Sequence, residues 1–223
     1  MSDYSNIIDQ ILKKNITLIS KDRFECILNL KNKVDLLDGD VVECGVYKGG
    51  MSIFLAHLFE EKGMWVVDSF EGCQPLKNAL YEYTKEERWK DHMFAANLDE
   101  VKRNFSSFNL KNTDRIKFLK GWVKDTLPNC EINKISLLRV DVDSYSATKE
   151  VLQYLYDKVV SNGVIVFDDS CCYESHDAIK DFIKNEKSND IPNIKFYDVS
   201  HKEIDLLNED SGKLPCGCYM IKP

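Results

Sequence analysis

The sequence predicts a single α/β domain built on a mostly parallel sheet with helices on both faces. Apolar runs of strand length alternate with stretches of helical spacing from residue 40 onward. The first five such runs end at Gly45, Asp68, Gly121, Asp141 and Asp168. In open α/β sheets, ligands sit beyond the carboxyl ends of the strands, where glycine and aspartate are useful. No internal repeat, linker or low-complexity tract divides the 223 residues, which suffice for one well-buried core.

Residues 1–38 read as leading helices, with apolar positions at Ile7, Ile8, Ile11 and Leu12, then Phe24, Ile27, Leu28, Leu30, Val34 and Leu37. "DGDVVECG" is a turn and a short buried strand, and "GGMSIFLAHLFEE" starts a helix just after a glycine pair. "GMWVVDSF" is the second strand. Residues 75–108 exceed a simple connection and read as a lid or substrate-facing insertion; the stretch 80–108 is polar, aromatic-rich and partly helical. "RIKFLKG" is the third strand, "DTLPNC" a short helix or turn, and "ISLLRVDVD" the fourth strand, followed by the helix "SATKEVLQYLYDKVV". "SNGVIVFDD" is the fifth strand and "HDAIKDFIKNE" its helix. "IKFYDVS" and "CGCYMIK", with the turn signal "EDSGKLP" between them, complete a seven-stranded sheet.

Apolar residues at 43% and charged residues at 30% are ordinary for a soluble globular chain. A net charge of −7 argues against a general nucleic-acid binder, which needs a basic stripe. The first residues show no secretory pattern and no apolar run reaches bilayer length, so a cytoplasmic protein without membrane partners is expected. Eight cysteines are present; "CC" at 171–172 and "CGC" at 216–218 lack zinc-knuckle spacing, and reduced, structural thiols are expected.

The chemistry concentrates in two strand ends, "RVDVDS" and "VIVFDDS". Asp143 and Asp169 each precede helical sequence and suit helix caps, but caps account for one acid per strand. Adjacent strands would bring Asp141, Asp143, Asp168 and Asp169 close together, a repulsive arrangement unless a cation is present. Oxygen ligands without histidine or cysteine favour a hard divalent ion, with Mg²⁺ the best fit. "VECGVYKGGMS" places Gly45 where backbone comes close to a ligand, or serves as a structural turn. Asp68 suits a ribose diol, or caps the turn "DSFEG".

"GDVVECGVYKGGMS", "VVDSFEG", "LDEVKRNF", "IKFLKGWVKDTLP", "LLRVDVDSYSATKEVLQYLYDKVVSNGVIVFDDS" and "AIKDF" together resemble the macrocin O-methyltransferase family over residues 39–182. A more distant likeness is to catechol O-methyltransferase. The resemblance implies a Rossmann-like class I fold binding S-adenosylmethionine (SAM) and Mg²⁺, and methylation of a sugar hydroxyl. It implies that Gly45, Tyr47 and Ser52 hold the methionine part of SAM, with Glu43 in support. By the same likeness Asp68 and Ser69 take the ribose, Gly121 and Trp122 the adenine, and Asp141 also borders the cofactor. Asp141, Asp168 and Asp169 would bind Mg²⁺, and Asp143 would be the general base. It also implies a homodimer or higher oligomer. Where the family has a tyrosine after the acid pair, this chain has Ser170.

His92 and His176, in loops expected to rim the site, are rival bases or surface and supporting residues. Tyr81, Tyr83, Trp89 and Phe94 either stack on a sugar ring or anchor the lid, with anchoring favoured. A SAM- or nucleotide-binding protein without chemistry would need Gly45 and Asp68 but not the four acids. A hydrolase would need the acids but not the glycine turn. A phenol or catechol acceptor is more acidic than a sugar hydroxyl, so a dedicated base at Asp143 favours the alcohol.

Overall fold

In the computed structural model, which describes residues 2–85 and 88–223, the apolar runs pair into one sheet. Its strands are β1 (Asp40–Cys44), β2 (Met64–Asp68), β3 (Ile116–Lys120), β4 (Ile135–Val140), β5 (Val159–Phe167), β6 (Phe196–Asp198), β7 (Glu203–Ile204) and β8 (Cys218–Ile221). The order is β3-β2-β1-β4-β5-β8-β6-β7. β1 to β5 are parallel neighbours, whereas β8 runs antiparallel to β5 and closes the sheet together with β6 and β7. The sheet thus has eight strands among the described residues, not seven. The addition is β7, two residues pairing with β6, too short to leave an alternating pattern in the sequence.

Strand parity decides which residue meets which layer, because successive side chains point to opposite faces. Val41, Leu137, Val164 and Val166 join the core beneath α1 (Ser2–Lys13), α2 (Lys21–Asp35), α3 (Gly50–Leu58) and α4 (Leu98–Ser106). Val42, Leu138, Val140, Ile165 and Phe167 join the core beneath α5 (Val123–Thr126), α6 (Tyr145–Leu155) and α7 (Tyr173–Glu186). The leading helices are integral to the first core: Ile8, Ile11, Phe24, Ile27 and Val34 are at most 1% exposed. Full burial of one such side chain contributes roughly 1.5–3 kcal/mol. By the same parity, Glu43, Arg139 and Asp141 follow Val41 and Leu137 onto the face of the leading helices, and Asp168 follows Val166.

Residues 75–108, the segment expected to form a lid, are tied down by polar contacts. The Tyr83 hydroxyl donates to Asp177 at 2.6 Å while its ring stacks on Tyr145. Leu80 and Tyr81 N–H groups donate to Ser146 Oγ, each at 3.0 Å. Glu86 and Glu87 of the lid lie outside the described residues. The cysteines depart from the expectation of reduced thiols: Cys171 and Cys216 form a disulfide between the loop after β5 and the approach to β8. Phe167 and Cys218 are paired residues of β5 and β8, so antiparallel pairing brings the two loops together across 45 residues of chain. Among the described residues, no helix is long and apolar enough to cross a membrane.

Candidate functional site

A cavity of about 280 Å³ opens at the carboxyl ends of the parallel strands. The loop after β1 contributes Gly45, Val46 and Tyr47; the loop after β2 contributes Asp68, Ser69 and Gly72–Gln74. Trp122 and Val123 follow β3, Asp141–Asp143 follow β4, and Asp168 and Asp169 follow β5. Glu43 lines the cavity from within β1. The lid adds Trp89, Met93 and Phe94, and the leading segment adds Thr17, Leu18, Ile19 and Arg23. Tyr47, Phe70 and Asp143 adopt left-handed backbone (φ 50°, 58° and 59°). Such conformations are uncommon outside glycine and concentrate where loops are held for function.

Gly45 is required by the fold before any ligand. Its φ is 83°, and a Cβ there would lie 1.7 Å from the Asp141 carbonyl oxygen. The glycine lets the ends of β1 and β4 approach, which sets Asp141 beside the first loop. The glycine pair at the start of α3 is covered rather than open, since Gly50 N–H donates to Ile16 O at 3.0 Å. Ser52 is fully buried, donates to Glu43 and is not part of the cavity wall, nor is half-buried Gly121.

Asp68 combines the two roles open to it in the sequence. One oxygen accepts the Val46 N–H at 2.7 Å and the other the Phe70 N–H at 2.6 Å, while the residue lines the cavity. Burial raises its pKa despite these donors. Asp143 and Asp169 are not caps. The N-caps of α6 and α7 are Ser144, whose Oγ accepts from Ala147 N–H at 3.2 Å, and Cys172.

All four acids line the one cavity, and three of them cluster tightly. Asp141, Asp168 and Asp169 each present an oxygen within 4.8 Å of the others. Burial raises Asp141 to about 6. Burial, reinforced by the charge of Asp141, lifts Asp143 and Asp169 well above the usual carboxylate range. Cys73 Sγ lies 3.7 Å from Asp143 Oδ2.

Part of the positive charge that these acids require comes from the chain itself rather than from a metal ion. Arg139, 1% exposed, donates to Glu43 at 2.6 Å, to Asp141 at 2.8 Å and to Asp168 at 2.5 Å. Arg23, from α2, donates to the other oxygen of Asp168. Sequence reading missed both arginines. The signal for Arg139 was a charge inside the otherwise apolar "ISLLRV", in phase with Asp141; Arg23 left none. Two guanidiniums still face six carboxylates in the cavity wall, Glu43 and Asp68 included, leaving four negative charges uncompensated if all are ionised. Among the described residues, buried Asp169 Oδ2 has no hydrogen-bond partner, a condition that costs about 1–3 kcal/mol or more for a charged group. Three convergent carboxylates with an orphaned oxygen fit a hard divalent cation.

Neither His92 nor His176 is part of the cavity wall, although the His92 ring lies 6.2 Å from that of the wall residue Trp122. His92 is exposed, with Nδ1 2.9 Å from Glu71 O. His176 is buried with Nε2 2.9 Å from Leu206 O, and burial lowers its pKa. The lid aromatics divide: Tyr83 anchors and Tyr81 sits under Lys149, whereas Trp89 and Phe94 pack edge to face in the cavity wall.

A profile of the macrocin-O-methyltransferase (TylF) family matches residues 10–201. The 8-demethyl-8-(2,3-dimethoxy-alpha-L-rhamnosyl)-tetracenomycin-C 4'-O-methyltransferase of Streptomyces olivaceus is 34% identical over 155 residues, 66% of this chain and 59% of that protein. The mycinamicin III 3''-O-methyltransferase of Micromonospora griseorubida is 33% identical over 157 residues, 66% of this chain and 61% of that protein. The matched stretch thus spans about six tenths of each relative's length. Among solved structures, the O-methyltransferase NovP superposes with a TM-score of 0.77 at 27% identity, covering 92% of this chain and 81% of NovP. The chain belongs to the macrocin-O-methyltransferase (TylF) family and has the Rossmann-like fold of the class I O-methyltransferases.

Proposed function

We propose that this chain is a SAM- and Mg²⁺-dependent O-methyltransferase acting on a hydroxyl of a sugar-containing small molecule. The observation that carries the reading is one cavity in which Asp68 and Trp122 stand on one side and Asp141, Asp143, Asp168 and Asp169 on the other. The names of the two Streptomyces and Micromonospora relatives, both O-methyltransferases and one acting on a rhamnosyl compound, support it.

In this reading Gly45, Tyr47, Asp68, Ser69 and Trp122 seat the methyl donor, and Asp141 borders it. Glu43, braced by Ser52 and Arg139, shapes the floor of that seat. Burial holds Glu43 near a pKa of about 7. Asp141, Asp168 and Asp169 are the residues that would hold Mg²⁺, which when bound lowers the pKa of an alcohol. Asp143, which lines the cavity, takes the hydroxyl proton. Bound SAM would supply the methyl group to the acceptor oxygen, with the sulfur departing as S-adenosylhomocysteine. Holding the two reactants in line supplies much of the acceleration. Trp89 and Phe94 exclude water from the acceptor side. The active species is a homodimer in this reading, and a monomeric mass in light scattering would remove that part alone.

The test is calorimetry of SAM binding together with methyl transfer to a glycoside panel, with Mg²⁺ or a chelator. Wild type, Asp141→Ala and Asp143→Asn are compared. Micromolar SAM binding in all three, with transfer confined to wild type plus Mg²⁺, is expected. Transfer that survives chelation ends the metal assignment, and absence of SAM binding ends the whole reading.

A further inference from the structure

We propose that Arg23 is a built-in competitor of the divalent cation, coupling the leading helix α2 to the metal site. The inference rests on the metal reading above. Both oxygens of Asp168 are engaged by guanidinium groups, one from Arg23 and one from Arg139. The two arginines differ in their freedom. Arg139 is locked within the sheet by Glu43 and Asp141 as well, and its side chain is 2% exposed. The Arg23 side chain is 18% exposed, extends from the first turn of α2, and forms part of the cavity wall. It is therefore the positive charge that can withdraw.

A guanidinium in contact with a ligand carboxylate opposes a second cation there by like-charge repulsion, strongly so where water is scarce. Cation binding then favours a state in which Arg23 has left Asp168. The segment that Arg23 belongs to also walls the cavity through Thr17, Leu18 and Ile19, and Ile16 O receives the Gly50 N–H at the start of α3. Withdrawal of Arg23 thus loosens the leading segment over the cavity. By linkage, removing the Arg23 charge must tighten cation binding by the same factor with which the cation displaces Arg23.

The experiment measures Mn²⁺ dissociation constants by electron paramagnetic resonance for wild type, Arg23→Gln and Arg23→Lys. Hydrogen exchange of residues 17–30 is followed in wild type with and without Mn²⁺. Arg23→Gln is expected to bind Mn²⁺ roughly tenfold more tightly, an ordinary coupling, with Arg23→Lys staying close to wild type. Wild-type exchange in 17–30 is expected to quicken when Mn²⁺ binds. Unchanged or weaker binding in Arg23→Gln, or equal shifts in both variants, overturns the inference while leaving the metal site intact. Exchange that does not quicken in wild type overturns it without any variant. Absence of Mn²⁺ binding in all three proteins overturns the metal reading and this inference together.

Discussion

Replacing Arg139 with methionine leaves Glu43, Asp141 and Asp168 without the guanidinium that now contacts all three at 2.5–2.8 Å. Charge-assisted hydrogen bonds are each worth roughly 1.5–3 kcal/mol. The desolvation of Arg139 itself offsets much of that sum, and removing one partner of a buried ion pair costs about 3–5 kcal/mol. A loss of about 3–5 kcal/mol is expected in urea unfolding at neutral pH without divalent cations. The loss should depend on pH, with a sign set by Glu43. Its pKa is raised from 4.5 to about 7 in the folded protein, chiefly by burial and against the pull of Arg139. The folded state therefore binds the proton more tightly than the unfolded state, and Glu43 costs stability as pH rises through that window. A rise of this size corresponds to roughly 3 kcal/mol once the window is passed. Without Arg139 the window moves upward, so the deficit of the variant should grow from pH 5 to pH 8. A deficit below about 1 kcal/mol, within the range of an ordinary surface change, would refute the account. So would a deficit equal at the two pH values.

The remaining expectations need simpler assays. Gly45→Ala should lower the melting temperature sharply and weaken SAM binding, because its Cβ would collide with the Asp141 carbonyl; a wild-type melt would show that β1 and β4 can part at no cost. Cys171→Ser opens a 45-residue loop, which in the chain-entropy account costs up to about 4 kcal/mol, read as a lower urea midpoint under non-reducing conditions and an equal midpoint for both proteins in reductant. His92→Ala should keep methyl transfer within about twofold, an effect under 0.5 kcal/mol, since its ring lies outside the cavity wall; a hundredfold loss would move the base from Asp143 to His92.

Much of the site was legible because its logic is local. Alternating apolar runs specify parallel strands, and parallel strands put their carboxyl ends on one edge. Asp68, Asp141, Asp168 and Asp169 therefore share a cavity whatever the details of packing. What local pattern could not choose was the partner of each side chain. "DSFEG" was open between turn cap and ligand, and Asp68 serves the turn while facing the cavity. "RVDVDS" offered Asp143 as a cap, yet Ser144 caps and Asp143 is released to the cavity. Gly45 read as a place for ligand approach, but the closest neighbour of its missing Cβ is another strand.

The α/β layering, the strand ends that carry the acids, and the long insertion between the second and third strands are legible in the sequence. Periodicity and strand termination act over a few residues, so they are written in consecutive positions. How the acids are neutralised and how their loops are held depends on the packed fold. Arg23 reaches Asp168 across 145 residues of chain, and Cys171 meets Cys216 across 45. Both contacts follow from packing: α2 lies on the face toward which Asp168 points, and β8 pairs antiparallel with β5. Charge and thiol pairing act through space, and the distances that govern them exist only once the layers have closed.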